Sequence, residues 1–580
     1  MTEPTSCVAF PGPHGGAHRP AVTGRNGVVA SAHYLASLAG LRVLIEGGNA
    51  VDAAVATAAT LNVVEPYMSG IGGGGYMLVY LARSGEHHAL DFTGNTPAAL
   101  EPSRVRSQEE LRDSALGTLV PGNLGGWLAA LERFGTMDRA ALFKHAIAYA
   151  EEGFPASVRN ADLIAANADR LLRWGDGAPY LLGRVPGAPW AGRGAGNGRR
   201  APRHGELIVQ PALARTFRLV VEGGAEVLYR GEVGRALVRA AQAAGGCLTM
   251  EDLARFAVDW RAPIEQRYRG RLVRTVPPPC AGIQYLIGFG LLEGFDLAGL
   301  GHNSAEHLHL FIEATKLAVA DRIAYAAHPS PPLRGLLSSE YQTARRRLID
   351  PERAAISGGE RRSNRRAPGE VTAGAPENTT HFSVVDREGN AVSVTQSIGA
   401  LFGCGVVAPE VGVALNNFGF WMDRDPASHN AVGPNRRSSR AMSPAHVLQD
   451  GRLLLAIGTP GGFGILQTTP QMISNVVDFG MNVQAAIEAP RIRCALPAGE
   501  DPVFFDPAGP PVEERGSYVR VEDRIGPEVR AALARRGHVV DLLGPWSIAV
   551  GGGQGVRVDP ETGALSGGAD PRRDGYAVAF

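Results

Sequence analysis

The sequence predicts an α+β chain, and two observations carry that class. Helical apolar spacing dominates 30–62, 140–175, 211–258 and 303–328. From residue 379 onward the chain reads as strand at both ends, beginning with a β-hairpin whose arms alternate apolar and polar residues. The arms are FSVV (382–385) and AVSVTQS (391–397). Between them lies Asp386-Arg387-Glu388-Gly389-Asn390, with Gly and Asn where positive φ is easily reached.

The elements follow in order. Residues 1–26 read as a loose tail before the first helical stretch. Gly, Arg and Pro crowd 183–204, GRVPGAPWAGRGAGNGRRAPRH, which reads as an inserted loop. Asn303 or Ser304 can cap the stretch 303–328, with Glu306 in its first turn. Residues 356–378, ISGGERRSNRRAPGEVTAGAPEN, are polar, rich in Pro and Gly, and expected to be mobile. They run directly into Thr379-Thr380-His381. If Val385 faces Ala391 across the turn, the register places Thr379 opposite Ser397. A flexible segment ending at a hydroxyl on a rigid strand is what self-cleavage requires. Scission between Asn378 and Thr379 gives Thr379 a nucleophilic hydroxyl and a free α-amine that can act as its base.

Composition excludes several classes. Lys+Arg and Asp+Glu both number 57, so formal charge is zero. That argues against nucleic acid or an anionic membrane as the main partner. The five cysteines, Cys7, Cys247, Cys280, Cys404 and Cys494, show neither metal spacing nor a disulfide framework. Reduced thiols and no metal or other cofactor are expected. No apolar run is long enough to span a membrane. MTEPTSCVAFPGPHGGAHRP has no basic region followed by an apolar core, so the expected location is cytoplasmic.

Other motifs carry less. No Lys-Ser/Thr follows Gly72–Gly75, which reads as a structural turn. Asp478-Phe479-Gly480 has no kinase context. His302, Glu306, His307 and His309 lack two histidines at i,i+4 and read as solvated or buried residues. No G-x-S-x-G elbow occurs.

From about Gly27 to the C-terminus the chain resembles the γ-glutamyltranspeptidase family of N-terminal-nucleophile hydrolases. The motifs stand in family order: GVVASAHYLASLAGLRVLIEGGNAVDAAVA, VEPYMSGIGGGGYMLVY, QPALARTF, LYRGEVGRALVRAAQAAGGCLTMEDL, YRGRLVRTVPPPCAG, LLEGFDLAG, NSAEHLHLFIEATKLAVADR, TTHFSVVDREGNAVSVTQS, LNN, MSP, GTPGG and RRDGYA. The resemblance implies a four-layer αββα sandwich built jointly by a large subunit, 27–378, and a small subunit, 379–580, of one precursor. It implies a small-molecule substrate, no nucleic acid and no membrane. The partner is then the chain's own second piece, as a heterodimer or a higher oligomer. It implies Thr379 as nucleophile and Ser397 hydrogen-bonded to it. Backbone N–H groups of Gly461 and Gly462 in GTPGG are then the oxyanion hole, where Cβ-free approach is needed. Asn416 and Asn417 either satisfy turn backbone or orient substrate. Thr395, in the same stretch as Ser397, stays ambiguous.

The departures bear on substrate. Where the family places an Arg for the glutamyl α-carboxylate, LDFTGNTP has Thr93. Where it places Gln and Asp for the α-amine, LNNFGFWMD has Phe418 and Trp421. Where two serines precede Met-Ser-Pro, RRSSRAMSP has Arg440 and Ala441, with Ser438 and Ser439 two positions early. Lost charged hydrogen bonds cost ~1.5–3 kcal/mol each, so a γ-glutamyl donor is expected to be poor. Phe418 and Trp421 offer aromatic walls, and Arg440 offers one carboxylate clamp unless it is a surface residue beside Arg436 and Arg437. The expected activity is an autoprocessing threonine hydrolase that cleaves an acyl bond of a small carboxylated metabolite, with oxalyl-type C–N or C–C hydrolysis as the fitting example. The Arg/Ala/Gly-rich composition suits a specialised biosynthetic enzyme of a high-GC genome. Two alternatives are a γ-glutamyltransferase or glutathione hydrolase, and a non-catalytic, unprocessed binding protein.

On denaturing gels and by intact mass, the wild-type chain is expected to split into pieces of 378 and 202 residues. Thr379→Ala is expected to stay whole. A mutant still cut at the same bond would rule out self-cleavage by Thr379.

Overall fold

The computed structural model describes residues 17–174, 180–183, 199–355, 378–494 and 518–580. The tail up to residue 16, most of the 183–204 insertion and the segment 356–377 lie outside the described residues, as does Cys7.

Two antiparallel seven-stranded sheets form the centre. Sheet I runs Tyr576–Ala579, Gly27–Ser31, Asn378–Asp386, Ala391–Gly399, Gly74–Leu81, Glu86–Asp91 and Asp259–Arg261. Sheet II runs Val22–Gly24, Leu565–Ala569, Gln554–Val558, Arg452–Gly458, Ala445–Gln449, Arg271–Thr275 and Ile264–Tyr268. The period-2 alternation of the hairpin sorts its side chains between two cores. Phe382 and Val384 pack against the helices Tyr34–Ile45 and Ala50–Val64 on the outer face of sheet I. Val385 faces inward, with Ala456 and Val556 of sheet II. The helices Ile283–Leu292, Ile465–Val477 and Val483–Glu488 cover the far side of sheet II, and Ala305–Tyr325 packs on the first of them. The result is the expected four-layer αββα sandwich.

Small residues let the central helix lie close to its sheet. All 15 residues of Ala50–Val64, AVDAAVATAATLNVV, are buried. Asn49 and Asp52 form a capping box at its start. Asp386, the first residue of the hairpin turn, also accepts a hydrogen bond from Ala50 N at 3.0 Å, tying the hairpin to the helix.

The helical stretches appear in broken form. The 30–62 stretch divides around Gly47-Gly48, and 211–258 divides into Pro211–Gly223, Glu226–Tyr229, Glu232–Ala243 and Met250–Ala254. Ser304, rather than Asn303, caps Ala305–Tyr325 by accepting from His307 N at 3.1 Å. The 183–204 insertion is not loop throughout, because Leu182–Gly183 pairs with Arg199–Arg200 at its base. Cys247, Cys280, Cys404 and Cys494 are buried free thiols. Among the described residues no helix is long and apolar enough to cross a membrane.

Histidines occupy the space between the sheets. Burial pushes His381 and His446 down to about 3 and His87 to about 2. All three are neutral in the folded protein, whereas the unfolded chain takes up protons below ~6.5. Their contribution is therefore complete above pH ~6.5 and lost as pH falls toward about 3. Urea midpoints of the uncut Thr379→Ala chain are expected to fall steeply between pH 6.5 and 4. His446→Gln should remove about one proton's worth of that slope. A flat pH profile in both chains would contradict the buried neutral assignment.

Candidate active site

Thr379 lies on a central strand of sheet I and is fully buried. The predicted register holds from Val385↔Ala391 to Thr380↔Gln396 and then breaks, with Asn378 pairing Gly399. Thr379 thus faces two residues, Ser397 and Ile398, across a β-bulge. The cause lies in neighbouring segments that capture the opposite strand. Ile398 N donates to Met68 O at 3.1 Å, and Asn417 N donates to Ile398 O at 3.1 Å. Ser397 O is so close to Gly73 that a Cβ there would lie 2.0 Å from it. The Ser397 hydroxyl accepts from Gly399 N at 2.9 Å. The Thr379 hydroxyl has no hydrogen-bond partner, an unusual state for a buried group. Bulges beside reactive groups serve to re-aim a side chain.

The Gly461–Gly462 turn reaches the same end of the inter-sheet space. Gly461 has φ 129° and Gly462 φ 56°, and a short 3-10 turn then leads into the helix Ile465–Val477. The turn is fixed by Thr459 Oγ1, which accepts from Gly552 N at 2.8 Å. Arg573 crosses Gly552 closely enough that a Cβ there would lie 2.4 Å from its Cδ. From that position Arg573 Nη1 donates to Thr379 O at 3.4 Å. A helix N-terminus with positive-φ glycines presents backbone N–H groups suited to an oxyanion.

Sequence reasoning quoted Glu65 and Arg573 within VEPY and RRDG but gave them no role. Thr380 Oγ1 donates to Glu65 Oε2 at 2.9 Å, and Glu65 Oε1 has no partner. Burial raises the Glu65 carboxyl to about 7, against the opposing pull of Arg573. Burial likewise lowers Arg573 to about 9. Each charge costs more to desolvate here than its partner returns, so both move toward neutrality.

The pocket candidates divide. Phe418 and Trp421 share a 3-10 turn, with ring centroids 5.3 Å apart. Phe418 Cε2 would lie 3.5 Å from a Cβ at Gly74, and Gly74 is the ladder partner of Ser397. Arg440 is fully buried and lies 4.3 Å from the Phe418 centroid. It donates from Nε to Ser438 Oγ at 2.8 Å and from Nη2 to Gly94 O at 3.1 Å. Arg440 Nη1, Trp421 Nε1 and Tyr76 OH have no partners. Burial lowers Arg440 to about 10, with Tyr76 and Asp91 pulling the other way. Thr93 hydrogen-bonds Asp91 and borders a cleft of about 140 Å³ with Gly94, Val120, Phe256 and Arg437. The surface alternative for Arg440 is therefore excluded.

Two candidates fall outside this group. Ala441 packs in the core between sheet II and its helices. Asn416 is spent on backbone. Its Nδ2 donates to Gly72 O at 2.7 Å and Leu119 O at 2.8 Å, and its Oδ1 accepts from Leu119 N at 3.0 Å. Asn417 likewise bonds Ala400 N and Arg112 O. Both asparagines brace the turn that presents Phe418. One trio elsewhere, His309, Glu313 and His538, brings ligand atoms within 4.8 Å of one another. Its rings already bond each other at 2.8 Å, and Lys316 Nζ lies 2.7 Å from Glu313, so the trio is internally satisfied.

A family model described as Gamma-glutamyltranspeptidase matches residues 36–580. The "Acylase ACY 1 proenzyme" of Pseudomonas sp. (strain SE83) is 34% identical, over 96% of this chain and 94% of that protein. The "Glutathione hydrolase proenzyme" of Bacillus subtilis (strain 168) is 33% identical, over 96% of this chain and 92% of its own. The crystal structure of cephalosporin acylase from Bacillus halodurans superposes with a TM-score of 0.83 at 33% identity, covering 100% of this chain and 99% of that one.

The raised Glu65 carboxyl makes a signed prediction. A folded value above the unfolded one contributes stability below ~4.5, lost as pH rises through about 7. The stability of Glu65→Gln relative to wild type, measured on uncut Thr379→Ala backgrounds, is expected to increase between pH 4.5 and 7. A difference that stays constant or shrinks across that window would show that Glu65 is ionised throughout.

Proposed function

The chain belongs to the γ-glutamyltranspeptidase family, and from that premise we propose a self-cleaving threonine acylase for a small acyl group bearing one carboxylate and no α-amine. Membership makes it a hydrolase of the N-terminal-nucleophile class. The single observation behind the substrate reading is Arg440, a buried cation whose Nη1 has no partner, stacked on Phe418, whose ring lies beside Gly74, the ladder partner of Ser397. No carboxylate lies within ion-pair distance of it among the described residues. A buried charge without a counter-ion costs several kcal/mol, which an anionic substrate group would offset.

The chemistry then runs on the chain's own groups. Scission of the Asn378–Thr379 bond frees the Thr379 amine. The Thr379 hydroxyl attacks the acyl carbonyl as its proton passes to that amine. Gly461 and Gly462 N–H groups hold the oxyanion. Collapse expels the leaving group, which takes the proton back, and water then cleaves the resulting ester. Both relatives named acylase, one by sequence and one by fold, support a non-glutamyl acyl donor. An oxalyl-type or dicarboxylic acyl group fits best, in a specialised biosynthetic setting. The second reading is glutathione hydrolysis, favoured by the 33% identity to the Bacillus subtilis protein. Against it stand Thr93, Phe418 and Trp421 where glutamate-binding groups would be.

The test compares processed enzyme on a γ-glutamyl anilide and on an oxalyl or dicarboxylic mono-anilide. Arg440→Met is expected to lower kcat/KM for the carboxylated donor by ~10–150-fold, one charged hydrogen-bonding group's worth. It should change turnover of an uncharged acyl anilide by less than ~3-fold, the scale of lost packing alone. Wild-type turnover of the γ-glutamyl anilide at ~10⁴ M⁻¹s⁻¹ or more would favour the second reading.

A further inference from the structure

Seven side chains unused by this chemistry form one unbroken hydrogen-bonded line between the sheets. Arg274 Nη1 lies 2.8 Å from His87 Nδ1. His87 Nε2 lies 2.7 Å from His446 Nδ1, and His446 Nε2 lies 3.1 Å from Ser393 Oγ. Ser393 Oγ lies 2.9 Å from Ser383 Oγ. Ser383 Oγ lies 3.1 Å from His381 Nε2, and His381 Nδ1 lies 2.9 Å from Thr395 Oγ1. The outer end opens on a cleft lined by His87, Arg274, Ile264, Glu265 and Leu333. The inner end lies on the strands that carry Thr379 and Ser397. His381 and Thr395 are cross-strand partners in the last regular stretch before the bulge, two residues along their strands from Thr379 and Ser397.

One end determines every proton in the line. A guanidinium only donates. His87 Nδ1 must therefore accept, which places its proton on Nε2. His446 then accepts at Nδ1 and donates from Nε2 to Ser393. Ser393 donates to Ser383, and Ser383 donates to His381 Nε2. His381 thus carries its proton on Nδ1 and donates to Thr395, whose own hydroxyl proton is left pointing away from the line. A carboxylate in place of Arg274 would reverse every bond. His381 would become the Nε2–H tautomer, and Thr395 would spend its proton on His381.

We propose that Arg274 is a positioning residue that acts through His87 and His446 to hold His381 as its Nδ1–H tautomer, leaving the Thr395 hydroxyl proton free for the Thr379–Ser397 end of the hairpin. The effect on rate rests on the function proposed above, while the tautomer assignment does not. Glu265 and Arg274 are cross-strand partners, with Arg274 Nε donating to Glu265 Oε2 at 2.8 Å. Exchanging them, Glu265→Arg with Arg274→Glu, keeps the ion pair and puts an acceptor at His87.

The test uses ¹⁵N-histidine NMR and turnover on processed enzyme in three forms: wild type, Arg274→Lys and the charge-exchanged pair. Wild type and Arg274→Lys, both with donor-only ends, should show His381 protonated on Nδ1. The exchanged pair should show it on Nε2, with kcat lowered by ~10-fold or more at little-changed KM, the size of a misplaced general-catalysis contact. Arg274→Lys should keep kcat within ~3-fold of wild type, since it keeps the donor. An Nε2–H His381 in wild type, or the same tautomer in all three forms, overturns the proposal. A tautomer switch with unchanged kcat overturns the positioning role. A wild type that is processed but turns over no acyl substrate defeats the proposed function, while the tautomer readings still decide the line's polarity.

Discussion

Everything in this molecule depends on one strand being held from both sides. Asn378–Asp386 pairs with Gly27–Ser31 on one edge and Ala391–Gly399 on the other. Both proposed subunits contribute strands to both sheets. Sheet I takes four strands from before residue 378 and three from Asn378 onward, and sheet II takes three and four. A cut at Thr379 would therefore not release a domain. The two pieces would share two hydrophobic cores and every ladder between them, so the new amine would stay where the fold put it.

The start of the same strand carries the unpaired hydroxyl of Thr379. Regular pairing ends at Thr380, and the bulge turns Thr379 into a space with no partner for its hydroxyl. Leaving a buried polar group unpaired costs ~1–3 kcal/mol. Glu65 Oε1, Trp421 Nε1, Tyr76 OH and Arg440 Nη1 are unpaired as well. Asn416 and Asn417, by contrast, are fully bonded and hold the Phe418 turn against Gly72 and Ala400.

How far the sequence reaches depends on whether the determining contacts are local. The hairpin register follows from its own turn and alternation, and it is correct through Thr380↔Gln396. The bulge is not legible because Met68, Gly73 and Asn417 cause it from elements far away in the chain. The Ser304 cap is local and readable, and so is the break at Gly47-Gly48. Asn416 could not be decided from sequence, since its partners come from Gly72 and Leu119. Arg440 is visible as a departure in a motif, but its burial depends on Phe418, Gly94 and Ser438 closing around it. The line of histidines is invisible in one dimension because His87, His381 and His446 come from three strands.

The treatment of other buried arginines sharpens the reading of Arg440. Arg491 meets Asp570, and Arg572 meets both Glu522 and Asp570, all fully or almost fully buried. Arg573 has Glu65 as its opposing charge. Arg491 and Arg572 are thus each buried with carboxylates beside them. Arg440 is held instead by a hydroxyl, a carbonyl and an aromatic face. Asp91, the acid nearest in effect, is already bonded by Arg437 at 3.0 Å and by Thr93. Arg440 thus lacks the carboxylate that Arg491 and Arg572 have, and a substrate carboxylate would complete the pair. That contrast with Arg491 and Arg572 supports an anionic substrate group alongside the loss of the glutamate-binding residues.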